Sequence, residues 1–176
     1  MLRWLWRAVL ALTVLILAGA GLASWRFAQY APPDPPTAPD AQALARFIDD
    51  YAPARQAFLA KGDALEQRFA RVQRFAIPVA SARGVPDLYV DGLYLPAQHK
   101  PQRLLILSAG VHGIEGPVGS AVMRLFMDEF MSDALLADTG VLLLHGLNPY
   151  GFAQRRRVTE RNIDLNRNAS VNNALY

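Results

Sequence analysis

From Ala8 to Trp25 the chain reads AVLALTVLILAGAGLASW, 18 residues without a charge. As a helix this stretch would span roughly 27 Å, close to the hydrocarbon core of a bilayer at about 30 Å. It therefore divides the chain into an apolar leader and everything that follows. Arg3 and Arg7 precede the run, and Trp4, Trp6 and Trp25 mark its ends, where amphipathic rings favour the membrane interface. Two arginines before the run against Arg26 after it predict a cytoplasmic N-terminus and a domain facing the periplasm or exterior, on an inner or plasma membrane crossed once. The alternative is a secretory signal peptide cleaved near Ala18-Gly19-Ala20. The apolar run continues beyond that point to Trp25, which favours the uncleaved anchor. A buried helix of a soluble protein is disfavoured by the flanking arginines and tryptophans.

Residues 31–39, APPDPPTAP, hold five prolines in nine positions. Prolines cannot donate the backbone hydrogen bonds of a helix or a central strand, so an extended, semi-rigid spacer is expected. The predicted organisation is an anchor or signal segment over 1–30, a linker over 31–39 and one domain over 40–176. At 176 residues two large domains are excluded, and 52% hydrophobic residues exclude a disordered chain. There is no internal repeat. Residues 1–30 contain three arginines and no acid, so they account for the whole formal net charge of +3. The remainder is neutral and lacks the basic face of a nucleic-acid binder. The absence of cysteine removes disulfide scaffolds, Cys-ligated metal sites and Cys nucleophiles.

After residue 40 the pattern alternates between helix and strand. Asp40 is placed to cap a helix to about Tyr51, on the spacing of Leu44, Phe47 and Ile48. Pro53 then predicts an interruption, followed by a helix from about Ala54 to Val72. Arg68, Arg71 and Arg74 are expected on a solvated face. Leu88–Val90 and Leu93–Leu95 flank Asp91-Gly92, which reads as a strand or a hairpin. Leu104–Leu107 and Val141–Leu144 are short, continuous apolar runs, expected to be strands buried on both faces as in a parallel sheet. A helix from about Gly116 to Phe130 lies between them and completes a βαβ unit, whose chemistry belongs at the carboxyl ends of its strands.

Both informative motifs lie at those ends. The first is Ser108-Ala109-Gly110-Val111-His112-Gly113-Ile114-Glu115-Gly116. An imidazole nitrogen and a carboxylate oxygen are both good zinc ligands, and a spacing of three at a loop-to-helix junction turns both inward. The bland alternative is a capping Glu beside a locally bonded His. The second is His145-Gly146-Leu147-Asn148-Pro149-Tyr150-Gly151-Phe152, a turn signal. The arginine-rich stretch from Arg155 to Asn168 follows. Guanidinium groups there can bind a carboxylate in two-point fashion or stabilise an oxyanion, against the bland reading of a basic surface loop. His145 is expected to be a strand-end His with a structural hydrogen bond, and His99 to be solvated.

Taken together, H-x-x-E, then N-P-x-G-F, then R-V-x-x-x-x-I-D-L-N-R-N resembles the zinc carboxypeptidase superfamily over roughly residues 47–168. The segment SAGVHGIEGPVGSA is most similar to a bacterial carboxypeptidase-like branch, whose opening helix DDYAPARQAFL also resembles. The resemblance implies an α/β fold with a partial doubly wound, mixed or parallel sheet. It implies zinc, with His112 and Glu115 as two of its three protein ligands. It further implies Arg157 as the group that polarises the scissile carbonyl, and Asn166 and Arg167 as the pair that binds a terminal carboxylate. The family also needs a later His ligand and a later Glu as general base. No His or acid occurs after Asp164, and Ala169 stands where the family usually has an aromatic residue. The chain is therefore expected to cover the N-terminal half of such a domain and to be inactive by itself. The leading expectation is part of a membrane-anchored hydrolase of peptides or amides with a free carboxylate, with the bilayer engaged through residues 8–25. The alternative is a non-catalytic half-domain that binds a carboxylate or a partner. An α/β-hydrolase is a distant third, since Ser120 lies in GPVGSAV and no G-x-S-x-G elbow exists.

Overall fold

The computed structural model describes residues 2–30, 38, 41–79 and 87–168. The chain divides into two units, Met1–Pro39 and Asp40–Tyr176. Among the described residues the first holds one helix, α1 (Leu2–Ala28). It is long and apolar enough to cross a bilayer, a property that a signal sequence shares. The proline spacer and Asp40, the expected cap, lie outside the described residues, apart from Ala38.

The second unit runs α2 (Ala41–Ala45), α3 (Tyr51–Arg68), β1 (Gln73–Val79), β2 (Leu88–Leu95), β3 (Arg103–Ser108), α4 (Gly116–Glu129), α5 (Asp133–Leu136), β4 (Thr139–His145) and α6 (Pro149–Ala153). The helix expected from Asp40 to Tyr51 is shorter, because α2 ends at Ala45. Asp50 is extended and occupies the N-cap position of α3. Pro53, expected to break a helix, instead sits in the first turn of α3, where no intrahelical N–H is required of it. The Asp50 side chain does not cap. It accepts a hydrogen bond from Arg155 Nη2 at 3.3 Å.

One mixed sheet has the order β1-β2-β4-β3. β1 pairs with β2 and β2 with β4 antiparallel, while β3 runs parallel to β4. The β3–α4–β4 unit is thus the βαβ unit expected from the apolar runs. Leu88–Leu95 is one continuous strand, not a hairpin. Its Gly92 lies under the Phe75 ring, where a Cβ would fall 2.0 Å from the ring tip. α3 ends at Arg68, short of the expected Val72, and β1 follows as a strand that was not expected, while Arg68, Arg71 and Arg74 are exposed, as expected. Arg74 points to Asp63 and Glu66 on α3, and Arg71 donates to the carbonyl of Ala97.

Period-two alternation sorts the strands onto two faces. Leu93, Leu95, Val141 and Leu143 lie on the core face, joined by Leu105 and Leu107 and packed against Phe58 and Leu65 of α3 and Met123 and Met127 of α4. The other face presents Phe75, Ile77, Leu104 and Ile106. The expectation of burial on both faces therefore fails for β3. It is an edge strand, and Leu104 and Ile106 are 55% and 54% exposed among the described residues. β4 lies between two strands, and there the expectation holds in part: Val141 and Leu143 on the core face are fully buried, and Leu142 and Leu144 on the other face are half-buried.

Arg124 of α4 is 8% exposed, yet its Nε and Nη2 are buried with no hydrogen-bond partner among the described residues. Desolvation lowers the pKa of its guanidinium, with Asp128 opposing and Arg46 adding to the effect. An unsatisfied buried donor costs roughly 1–3 kcal/mol, and an apolar side chain of similar length avoids that cost. Arg124→Met is expected to raise the Tm in a thermal melt followed by circular dichroism. A lowered Tm would contradict this assignment.

Candidate functional site

The parallel pairing of β3 with β4 brings their carboxyl ends together. The ladder continues past the strands: Ala109 N–H donates to Leu144, Leu147 N–H to Ala109 and Asn148 N–H to Gly110. The two motif-bearing loops therefore leave the sheet side by side. The first holds His112 and a short 3-10 turn, Gly113–Glu115, ahead of α4. That turn packs tightly on α6. A Cβ on Gly113 would fall 1.9 Å from the carbonyl carbon of Gly151, so no larger residue fits without separating the loops.

His112 is buried and held at both ring nitrogens. Its Nδ1 lies 3.3 Å from Glu115 Oε1, and its Nε2 lies 3.0 Å from Asp164 Oδ1. The other oxygen of Asp164 accepts from Arg157 Nε at 3.1 Å. Burial raises the Asp164 pKa, but the hydrogen bonds from His112 and Arg157 outweigh it and leave the carboxyl below its ordinary value. A carboxylate at Nε2 favours the tautomer with hydrogen on that nitrogen. Nδ1 then turns a lone pair toward Glu115, and a proton or a cation between the two acceptors satisfies both. This donor set fits a divalent metal of the zinc type, with one imidazole and one carboxylate. Among the described residues, no three His, Cys, Asp or Glu side chains are grouped to hold a metal.

Three of the five residues singled out from sequence thus meet. His112 contacts Glu115 directly, and Arg157 joins them through Asp164. Sequence reasoning missed Asp164 as a site residue, although it stands within the quoted I-D-L-N-R-N stretch. Its partner is 52 positions away, and nothing local signals the contact. Asn166 and Arg167 follow in the turn, where their backbone N–H groups bond to Asp164. Their side chains are exposed and form no hydrogen bond among the described residues. Ala169 lies outside the described residues.

His145 is fully buried, with Nε2 at 3.0 Å from Ser120 Oγ and its ring stacked 4.8 Å from that of Phe58. It is a structural His, as its strand-end position suggested. Ser120 lies inside α4 at 1% exposure, away from any strand-to-helix elbow. This gives it no access to substrate. His99 is exposed, as expected.

Residues 47–174 match the family described as Protein of unknown function (DUF2817). The chain belongs to that family. This DUF2817 chain is also similar to solved structures. One is a candidate metallopeptidase from Shewanella amazonensis SB2B, at 25% identity over 63% of this chain and 37% of that one, with a TM-score of 0.45. Another is a candidate carboxypeptidase A from Shewanella denitrificans OS-217, at 15% identity over 71% and 34%, with a TM-score of 0.48. A third is a succinylglutamate desuccinylase/aspartoacylase from Rhodobacter sphaeroides, at 15% identity over 55% and 30%, with a TM-score of 0.40. The DUF2817 chain spans about a third of the length of these structures. No curated protein matches it significantly.

Burial lowers the pKa of His145 to about 4; Asp91 opposes this shift, and Arg55 and Arg124 add to it. The folded protein therefore keeps the ring neutral where the unfolded chain, titrating near about 6.5, takes up a proton. The resulting stability is fully present above about pH 6.5 and is lost as pH falls toward about 4, a change of about 3 kcal/mol at most. Urea unfolding at several pH values is expected to show this decline. His145→Gln, which cannot titrate, should flatten it.

Proposed function

We propose that this chain is the N-terminal part of a zinc-dependent, carboxypeptidase-like hydrolase, held at a membrane by α1. It would act on peptides or amides that carry a free carboxylate. The observation that carries the reading is His112, with Nε2 fixed by Asp164 and Nδ1 turned to Glu115. The order and spacing of the three sequence motifs support it independently.

In this reading His112 and Glu115 hold the metal. Bound zinc supplies Lewis-acid polarisation and a more acidic water. Asp164 locks the ring of His112 and anchors Arg157. The Arg157 guanidinium is exposed and offers its remaining N–H groups to an oxyanion. Asn166 and Arg167, exposed in the adjoining turn, take the terminal carboxylate of the substrate. The third ligand and the general base have no candidates after Asp164 in this sequence. The residues in hand are therefore proposed to bind metal and carboxylate without hydrolysing, since general-base catalysis typically contributes about 10²–10⁴-fold.

Isothermal titration calorimetry with zinc tests this. The chain is expected to bind zinc, His112→Ala to abolish binding, and Asp164→Asn to weaken it by about 10–100-fold. An N-acyl amino acid should bind more tightly to the zinc-loaded chain, and Arg157→Ala should remove that gain. Carboxylate binding that is indifferent to zinc would favour the non-catalytic half-domain. Zinc-dependent peptidase activity from these 176 residues would overturn the inactivity proposed for them.

A further inference from the structure

The segments that carry the candidate site meet at one peptide carbonyl. Arg157 O accepts the N–H of Gly113 at 3.4 Å and the side-chain Nδ2 of Asn148 at 3.2 Å. At its other end, Asn148 Oδ1 accepts the N–H of Gly151 at 2.8 Å. The backbone N–H of Asn148 donates to Gly110 at 2.8 Å, and Ile114 N–H donates to Arg156 at 3.0 Å, adding a second rung between the same two loops. Asn148 is 1% exposed, so water cannot take over these bonds.

The node demands an amide. One end must donate to a carbonyl and the other must accept from an N–H, which no charged or aliphatic side chain of this size does. A carboxylate would set oxygen against oxygen at Arg157, and an alanine would leave a buried N–H and a buried C=O with lost partners. Packing fixes the amide in place as well, because a Cβ on Gly151 would fall 2.5 Å from Asn148 Nδ2.

We propose that Asn148 is a positioning residue. It fixes the peptide of Arg157 against the turn that carries His112 and Glu115, and so sets where the Arg157 guanidinium stands relative to that pair. The proposal rests on the reading of His112, Glu115 and Arg157 as a metal-and-oxyanion site. It adds a residue that would touch neither metal nor substrate.

The test uses the full chain in detergent micelles, with the amide resonances of Gly113 and Ile114 followed by NMR and zinc affinity by calorimetry. The key variant is Asn148→Asp, because its carboxyl is isosteric with the amide. When neutral, that carboxyl has the same donor and acceptor. When ionised, it loses the donor. Burial raises the pKa of that carboxyl, while the Gly151 N–H donated to its other oxygen limits the rise, so the comparison runs between about pH 5 and about pH 8. At the higher pH the Gly113 and Ile114 resonances should move away from wild-type positions, and zinc affinity should fall by about tenfold. At the lower pH both should return to the wild-type values measured there. Asn148→Ala adds no charge and should show both changes at either pH, with no recovery in acid. It also serves if Asn148→Asp fails to fold at the higher pH.

Resonances of Gly113 and Ile114 that stay at wild-type positions in both variants would overturn the proposal. So would shifts there with zinc affinity unchanged, or shifts spread equally over the core amides of Val141 and Leu143. Should the wild-type chain bind no zinc, the hydrolase reading fails. The Gly113 and Ile114 resonances still decide whether Asn148 fixes the two loops.

Discussion

The parallel pairing of β3 with β4 is the constraint on which the rest of the unit depends. β4 lies between β2 and β3, with its core-facing side chains fully buried, so neither its register nor its direction can slip without exposing Val141 and Leu143. Parallel strands end at the same edge, and here both are followed directly by loops rich in chemistry. The ladder bonds that continue through Ala109, Leu147 and Asn148 hold those loops at the spacing set by the strands. The candidate site is thus an extension of sheet geometry, as expected at the carboxyl ends of an α/β sheet.

A second tier of order is polar and buried. Asp91, fully buried on β2, accepts two hydrogen bonds from Arg55 at 2.6 and 2.9 Å, with the guanidinium over the Tyr89 ring. Tyr51 clamps the backbone of Tyr89 through both its N–H and its C=O. These contacts bind the start of α3 to β2. His145, opposite Asp91 in the register, stacks on Phe58 of the same helix. Asp91, Arg55 and Tyr51 are paired in these bonds, while His145 is kept neutral by burial and its Nδ1 is buried without a hydrogen-bond partner among the described residues. Arg124 is the exception within the helix layer.

Much of this organisation was legible in the sequence. The two continuous apolar runs, their separation and the Gly116–Phe130 periodicity gave the βαβ unit. The H-x-x-E spacing gave the His112–Glu115 contact. What the sequence hid followed from long-range pairing. β1 over Gln73–Val79 was not anticipated, because it is an edge strand exposed along almost its whole length, whose Phe75 packs over a glycine on its neighbour. The run at Leu104–Leu107 looks identical to that at Val141–Leu144, and only the strand order makes one an edge and the other central. Pro53 misled because a proline signals both a helix break and a helix start. Asp164 and Asn148 were invisible as site residues since their roles depend on backbone and ring positions in other loops.

The central claim is that His112 and Glu115 together hold a divalent metal. The most direct measurement is zinc-edge X-ray absorption on the chain loaded with one equivalent of zinc, compared with the same preparation of Glu115→Gln and His112→Phe. The account predicts a first shell of light atoms at about 2.0–2.2 Å, with the multiple-scattering signature of a single imidazole. That signature should vanish in His112→Phe and persist, on a looser shell, in Glu115→Gln. An imidazole signature that survives His112→Phe, or a wild-type spectrum without imidazole, would contradict it.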